Sequence, residues 1–235
     1  SMNVSETFIQ WMVLNVSFYK SKIYFLILQG VIVAATPLVF AAIGELVVER
    51  AGVLNLGIEG MMILGAIAGF AVTLDTGSYV AGVACAALAG AVAAALFGIL
   101  TQVLLSNQVA TGLALTIFGL GLSALIGQGY SGETTGSLTK IHIFLLADIP
   151  IFGPLLFTHD PLVYLSIILV FCVAWFLGKT RPGLILRSVG ENHDAAHAIG
   201  YSVVGTRMAA LVFGGACAGI KADGHILGAD GPRGV

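Results

Sequence analysis

The chain has 235 residues, of which 58% are hydrophobic and 9% charged, with a formal net charge of −2. Soluble domains carry roughly 25% charged residues, and the mean hydropathy here is +1.01. That balance excludes a soluble globular domain, and so small a net charge gives no basis for a nucleic-acid partner. It describes a polytopic membrane protein whose solvent is the lipid bilayer, and the span lengths that follow read as an all-α transmembrane bundle.

A hydrocarbon core about 30 Å thick needs around 20 helical residues to cross. In chain order, residues 1–22 form an N-terminal segment in which 8–18 is apolar on one side but short, predicting an interfacial helix. Residues 23–43 are the first candidate span, with Pro37 as a kink. Further spans are predicted at 60–74, 79–105, 109–126 and 161–177, and a sixth starts at Met208. Residues 23–220 are thus read as the transmembrane domain. Asp75-Thr76-Gly77-Ser78 and Ser106-Asn107-Gln108 read as tight turns. The long link 127–160 holds an apolar piece, 141–157, broken by Asp148, Pro150 and Pro154, which predicts a surface-lying or re-entrant segment.

Residues 44–62 hold Glu45, Glu49, Glu59, Arg50 and Asn55 between two apolar runs, interleaved with Gly44, Gly52, Gly57 and Gly60. Charge at membrane depth is costly and usually marks function, and glycines of this kind mark a helix that bends or unwinds. Broken helices expose polar backbone to a solute pathway. Polar groups beside such breaks make Asn55, Glu59, Asn107, Gln108 and Thr111 the candidate path residues, with helix caps and interhelical hydrogen bonds the competing reading for each. For Glu45 and Glu49, with Arg50 adjacent, a structural ion pair is favoured over solute contact.

Gly82, Ala86, Gly90, Ala94 and Gly98 repeat every fourth residue, and Gly65/Gly69 and Gly215/Gly219 repeat the motif. Such stripes let helix backbones approach closely in lipid; packing within the bundle is favoured over docking of a second subunit. Cys85, Cys172 and Cys217 lie in apolar runs without metal-ligand spacing and read as small packing residues.

Lys179, Arg181, Arg187 and Arg207 fall between the fifth and sixth spans, whereas 127–160 has a single basic residue, Lys140. The positive-inside rule therefore predicts a cytoplasmic 178–207 loop, and counting back places the N-terminus outside despite Lys20 and Lys22. In that loop Pro182 can begin a helix, Gly190 interrupts it, Asn192 is a good N-cap for a second and Gly200 can end that one. His193 and His197 sit one turn apart, but no third ligand is placed, so the loop reads as an amphiphilic docking helix and no metal is assigned.

The stretch Glu49-Arg50-Ala51-Gly52-Val53-Leu54-Asn55-Leu56-Gly57-Ile58-Glu59-Gly60-Met61-Met62 closely resembles the signature of bacterial ABC-transporter permeases for nucleosides and related simple sugars. That group lies within the ribose and branched-chain amino-acid permease superfamily. Asn107-Gln108-Val109 with Gly112-Leu113-Ala114-Leu115, Asp148-Ile149-Pro150 through Gly153-Pro154-Leu155-Leu156, and Gly183-Leu184-Ile185-Leu186-Arg187-Ser188-Val189-Gly190-Glu191-Asn192 through Ala195-Ala196 to Gly200 are similar to it as well. The resemblance runs in order from about Thr36 to Ile220 and implies a permease subunit of an importer in the bacterial inner membrane. It implies no catalytic residue and no cofactor in this subunit. Its implied partners are a cytoplasmic ATPase that uses the ATP, a second permease subunit and an extracytoplasmic binding protein. Pro182, Gly183, Arg187, Gly190, Glu191, Asn192, Ala195, Ala196 and Gly200 would form the ATPase-coupling loop. The runner-up is a secondary transporter or channel working through Glu45, Glu49 and Glu59; a membrane enzyme is disfavoured because those carboxylates lack a nearby His or Cys.

After Ile220 the resemblance stops. Residues 221–235 hold four glycines, a proline and five ionisable side chains, which predicts a disordered or solvent-exposed tail. Counted from Met208, the sixth span has about a dozen apolar residues against the roughly 20 required. The expectation is a truncated or frame-shifted product that is inactive by itself.

Overall fold

The computed structural model describes residues 4–130 and 161–228, with side chains described less completely at both ends. Among the described residues the chain is helical, without strands. Helix α1 is Val4–Arg50, α2 Ile58–Thr76, α3 Tyr79–Gly98, α4 Gln108–Gly127, α5 Pro161–Lys179, α6 Arg181–Glu191, α7 His193–Ala198 and α8 Val203–Gly228. A π-helical turn, Ile99–Val103, extends α3, and a 3-10 turn, Gln128–Tyr130, follows α4. Six of these carry apolar stretches of 18–25 residues, long enough to cross a bilayer. The 141–157 segment lies outside the described residues.

Local chemistry sets most boundaries. Gly77, at φ +66°, ends α2 with its N–H on the Thr73 carbonyl, and Ser78 caps α3 by accepting from Ala81 N–H. Asn107 caps α4, its side-chain oxygen accepting from the N–H groups of Val109 and Ala110 at 2.9 and 3.2 Å. Thr180 caps α6 and Asn192 caps α7. Gly200, at φ +96°, closes α7 with its N–H on the His197 carbonyl, as the loop sequence predicts.

Three features of α1 and α8 depart from the expectation. Helix α1 runs unbroken from Val4, through Pro37, to Arg50, so the first span is Gly30–Arg50 and the sequence boundary at 22 leaves no break. Its Glu45 and Glu49 lie in helix, and the break follows them. Helix α8 begins at Val203 rather than Met208, giving a span of 18 residues, Val203–Ile220. The sequence reading gave Arg207 to the loop, whereas the helix takes it in. Finally, α8 continues to Gly228, where a disordered or solvent-exposed tail was expected from 221; helix to 228 replaces the disordered alternative there. Once a helix is nucleated and held, each further residue adds a hydrogen bond at little cost.

Glycine seams hold the bundle. A methyl at Gly90 would run into the Gly215 carbonyl, one at Gly219 into Ala86, one at Gly65 into Gly219 and one at Gly98 into Met208. The α3 stripe is therefore consumed by α8, and by α2 at Gly82, which meets Thr73. Packing within the bundle is thus the use the structure makes of it. Gly44 meets Gly214 on the α1–α8 seam, and Gly112 and Gly119 meet Gly57 and Gly60 on the α2–α4 seam. Lipid offers no hydrophobic drive for helix association, so this close contact supplies much of the cohesion. Around the seams lies a core of Val48, Met61, Phe97, Leu115 and Leu211. Helix α5 is joined differently. Val173, Phe176 and Leu177 pack with Leu186 of α6 on Ile43 and Val47 of α1. An apolar cavity of about 330 Å³ sits in this junction, lined by Val47, Leu169, Val173, Phe176, Leu186 and Phe213 among others.

Candidate functional site

The spans alternate so that the 51–57 link, the turn after α3, the α6–α7 loop and the start of α8 meet at one end, as their mutual contacts show. Asp75 and Tyr130, joined by a 3.2 Å hydrogen bond, mark the opposite end. The first end carries Arg50, Lys179, Arg181, Arg187 and Arg207 and is called the basic end here.

The polar insert is built around the 51–57 link, which is folded inward: Ala51, Val53, Asn55 and Gly57 are buried and alternate with exposed Gly52, Leu54 and Leu56. Asn55 is only 3% exposed. Its amide donates to Glu45 at 3.5 Å and lies 3.7 Å from Met61 sulfur, while its side-chain oxygen accepts from Gly57 N–H at 3.2 Å. One side chain thus ties the end of α1 to the start of α2. Gln108, at the start of α4, holds the same link by accepting from Leu54 N–H at 2.9 Å. Thr116 donates to the Leu56 carbonyl at 3.5 Å and to Gly112 at 3.1 Å.

The structure therefore brings Asn55 and Gln108 together on one link, each with a structural bond, while Asn107 serves as a cap. Glu59 stands exposed in the first turn of α2, where the helix dipole favours a carboxylate. Thr111 lines an apolar cavity of about 200 Å³ between α3 and α4, with Phe97, Leu100, Leu115 and Phe118. The expected ion pair of Glu45 or Glu49 with Arg50 does not form among the described residues. Consecutive helix residues point apart, so Arg50 leaves the face that Glu45 and Glu49 share, and Glu45 takes Asn55 instead.

Replacing Asn55 by leucine strands the Gly57 N–H in a buried setting, a loss of about 1–3 kcal/mol. The thermal unfolding midpoint in detergent should fall further for Asn55→Leu than for Asn107→Ala, whose lost cap costs about 1 kcal/mol.

In the α6–α7 loop, Pro182 occupies the first turn of α6, and Gly183 lets that turn close onto the Phe176 carbonyl. Gly190 does not interrupt the helix, which runs on to Glu191. What its missing side chain permits is contact: a methyl there would run into the Arg50 carbonyl and lie 3.1 Å from Gly52 N. Gly52 has φ +78°, and a methyl on it would lie 3.1 Å from Gly190 Cα. Arg187 is half-buried, its Nε enclosed without a hydrogen-bond partner among the described residues. Ala196 is buried, whereas Glu191, Asn192, Ala195, Ala198 and Gly200 face outward. His193 and Asp194 form an exposed contact at 3.4 Å.

Sequence reasoning missed Arg207 and Gln102. Arg207 donates from Nε to the Ala51 carbonyl at 3.1 Å and from Nη1 to Gln102 Oε1 at 3.4 Å. For Gln102 the signal was present, since a glutamine inside an apolar run is rare and needs a partner; Arg207 borders the polar loop, and its acceptors lie 156 and 105 residues away.

The chain is a polytopic helix bundle with a re-folded polar link and an amphiphilic loop seated on it. Residues 27–223 match the family described as branched-chain amino acid transport system / permease component, and the chain belongs to that family. It is 38% identical over 197 residues to the putative glucose ABC transporter permease protein TsgC13 of Haloferax volcanii, covering 82% of this chain and 60% of that protein. It is 31% identical over 206 residues to the nucleoside ABC transporter permease protein NupC of Lactococcus lactis, covering 83% and 65%. It is 33% identical over 220 residues to the guanosine ABC transporter permease protein NupQ of Bacillus subtilis, covering 86% and 68%. The chain thus spans 60–68% of the length of these relatives. No solved structure matches it. With six membrane-capable helices among its described residues, it is a multi-pass membrane protein.

Proposed function

We propose that this chain is the membrane-spanning permease subunit of an ATP-binding-cassette importer that moves nucleosides or related simple sugars across the inner membrane. The observation that carries the reading is the seating of the α6–α7 loop on the 51–57 link through Gly190 and Gly52. It gives an exposed helical element a rigid attachment to the helices that border a solute path. The names of the relatives, which include nucleoside, guanosine and glucose permeases, support the solute class. In this reading the basic end is cytoplasmic, in line with the positive-inside rule. The loop of Pro182, Gly183, Arg187, Gly190, Glu191, Asn192, Ala195, Ala196 and Gly200 receives a separate ATPase subunit, which binds and hydrolyses the ATP. The permease itself performs no catalysis. A second permease subunit completes the path, and an extracytoplasmic binding protein delivers the solute. Among the candidate path residues, Glu59 and Thr111 keep their side chains out of intramolecular hydrogen bonds within the described residues. They are the two best placed to meet solute; Asn55, Asn107 and Gln108 shape the path through the backbone.

Cysteines at Ala195 and Ala198, both exposed on the loop, should crosslink to the ATPase subunit in native membranes when uptake is ATP-driven. Labelling of the same cysteines by an impermeant thiol reagent from outside intact cells would overturn both the side and the role.

A further inference from the structure

The half-buried guanidinium of Arg207 joins three elements that are distant in sequence. It holds the Ala51 carbonyl, one residue past the end of α1, and the side chain of Gln102 in the π-helical turn of α3. Its third nitrogen lies 3.3 Å from where a methyl on Gly52 would be, beneath the point at which Gly190 of α6 lands. Gln102, 7% exposed, passes the contact inward: its amide donates to Thr101 Oγ1 at 3.3 Å, and Thr101 donates to the Phe97 carbonyl at 2.8 Å. Phe97 is a wall of the α3–α4 cavity that also holds Thr111. A continuous polar chain therefore runs from the landing site of the loop to that cavity.

The charge of Arg207 is met by neutral oxygens, and no carboxylate pairs with it among the described residues. Such bonds depend on donor geometry more than a Coulomb pair does. The π-turn is the second half of the device. Its looser i→i+5 bonding, seen in Leu104 N–H to the Ile99 carbonyl at 3.0 Å, is the kind of helix defect that can shift register and is frequent at functional sites.

We infer that Arg207 is a positioning residue that couples the α6–α7 loop to the end of α3: displacement of Gly190 moves the 51–52 backbone, and the guanidinium carries that movement to Gln102 and the Phe97 wall. The inference rests on the importer reading and adds to it the route by which the loop reaches the solute path.

The test uses the complete transporter, with full-length permease, ATPase and binding protein, reconstituted in proteoliposomes, and reads solute translocated per ATP hydrolysed. Arg207→Gln and Gln102→Met should each lower that ratio roughly tenfold, by loss of a charge-assisted hydrogen bond, while the assembled ATPase continues to hydrolyse ATP. Arg207→Lys, which keeps the charge but not the fork, should fall between. The double variant should be no worse than the worse single one, because the two side chains act as a unit. A wild-type ratio in Arg207→Gln, or a proportional fall of transport and hydrolysis in both variants, overturns the latch. Should Arg207→Gln fail to assemble, Gln102→Met, uncharged and similar in volume, decides alone. A wild-type complex that transports without hydrolysing ATP refutes the importer reading itself, whatever the variants do, and the latch with it.

Discussion

Valine at Gly190 is expected to abolish ATP-driven uptake in a protein that still inserts into the membrane. The added side chain would run into the Arg50 carbonyl and crowd Gly52 N. Both are backbone atoms at the end of a packed helix, and neither can swing aside as a side chain tip would. The relief available is to lift α6 off the 51–57 link. Overpacking of this kind costs about 1–3 kcal/mol, and at the upper end that shifts the seated and unseated populations roughly a hundredfold. Limited proteolysis of the 181–200 loop measures the shift directly, and uptake at equal membrane abundance measures its consequence. Gly178→Val is the control, because no described residue lies within 4 Å of the added carbon. Equal uptake by Gly190→Val and wild type would show that the Gly190–Gly52 contact carries no function.

Leucine at Gly219 should have the largest effect on folding. That position presses on Ala86 of α3 and lies against Gly65 of α2, so one side chain parts α8 from two neighbours at once. Relative loss of stability should exceed about 3 kcal/mol, beyond ordinary overpacking, and would appear as a collapse of the monodisperse fraction extracted in detergent. Gly121→Leu, on α4, meets no described residue within 4 Å of the added carbon. It should be neutral or should stabilise the helix by a few tenths to about 1 kcal/mol through better propensity. If the two variants extract equally well, the glycine seam is not what holds α8.

The contrast between those substitutions marks what the sequence could reveal. Spans at 79–105, 109–126 and 161–177 correspond closely to α3, α4 and α5, because length, apolarity and the punctuating Gly77, Asn107 and Pro161 are local signals. The caps of α7 at Asn192 and Gly200 were legible for the same reason. The start of α8 was not. Arg207 reads as a loop charge until its acceptors, Ala51 and Gln102, are seen 156 and 105 residues away. Gly190 likewise reads as a helix breaker by propensity, whereas the structure uses it inside α6 for an approach to Arg50 and Gly52. The break near Gly52 and Gly57 was foreseen. That Asn55 and Gln108 brace its backbone depends on side-chain directions that spacing alone does not give.

The different joints of the bundle also divide it mechanically. Where α1, α2, α3, α4 and α8 meet, backbone rests on backbone, and a glycine contact has no rotamers to switch. Those five helices form a stiff frame. Among the described residues, helix α5 leans on its neighbours through longer side chains, Leu169, Phe176 and Leu177, beside a void of about 330 Å³. Under load, strain collects where packing is thinnest, so α5 is the compliant strut of this frame, and α6 sits at its tip.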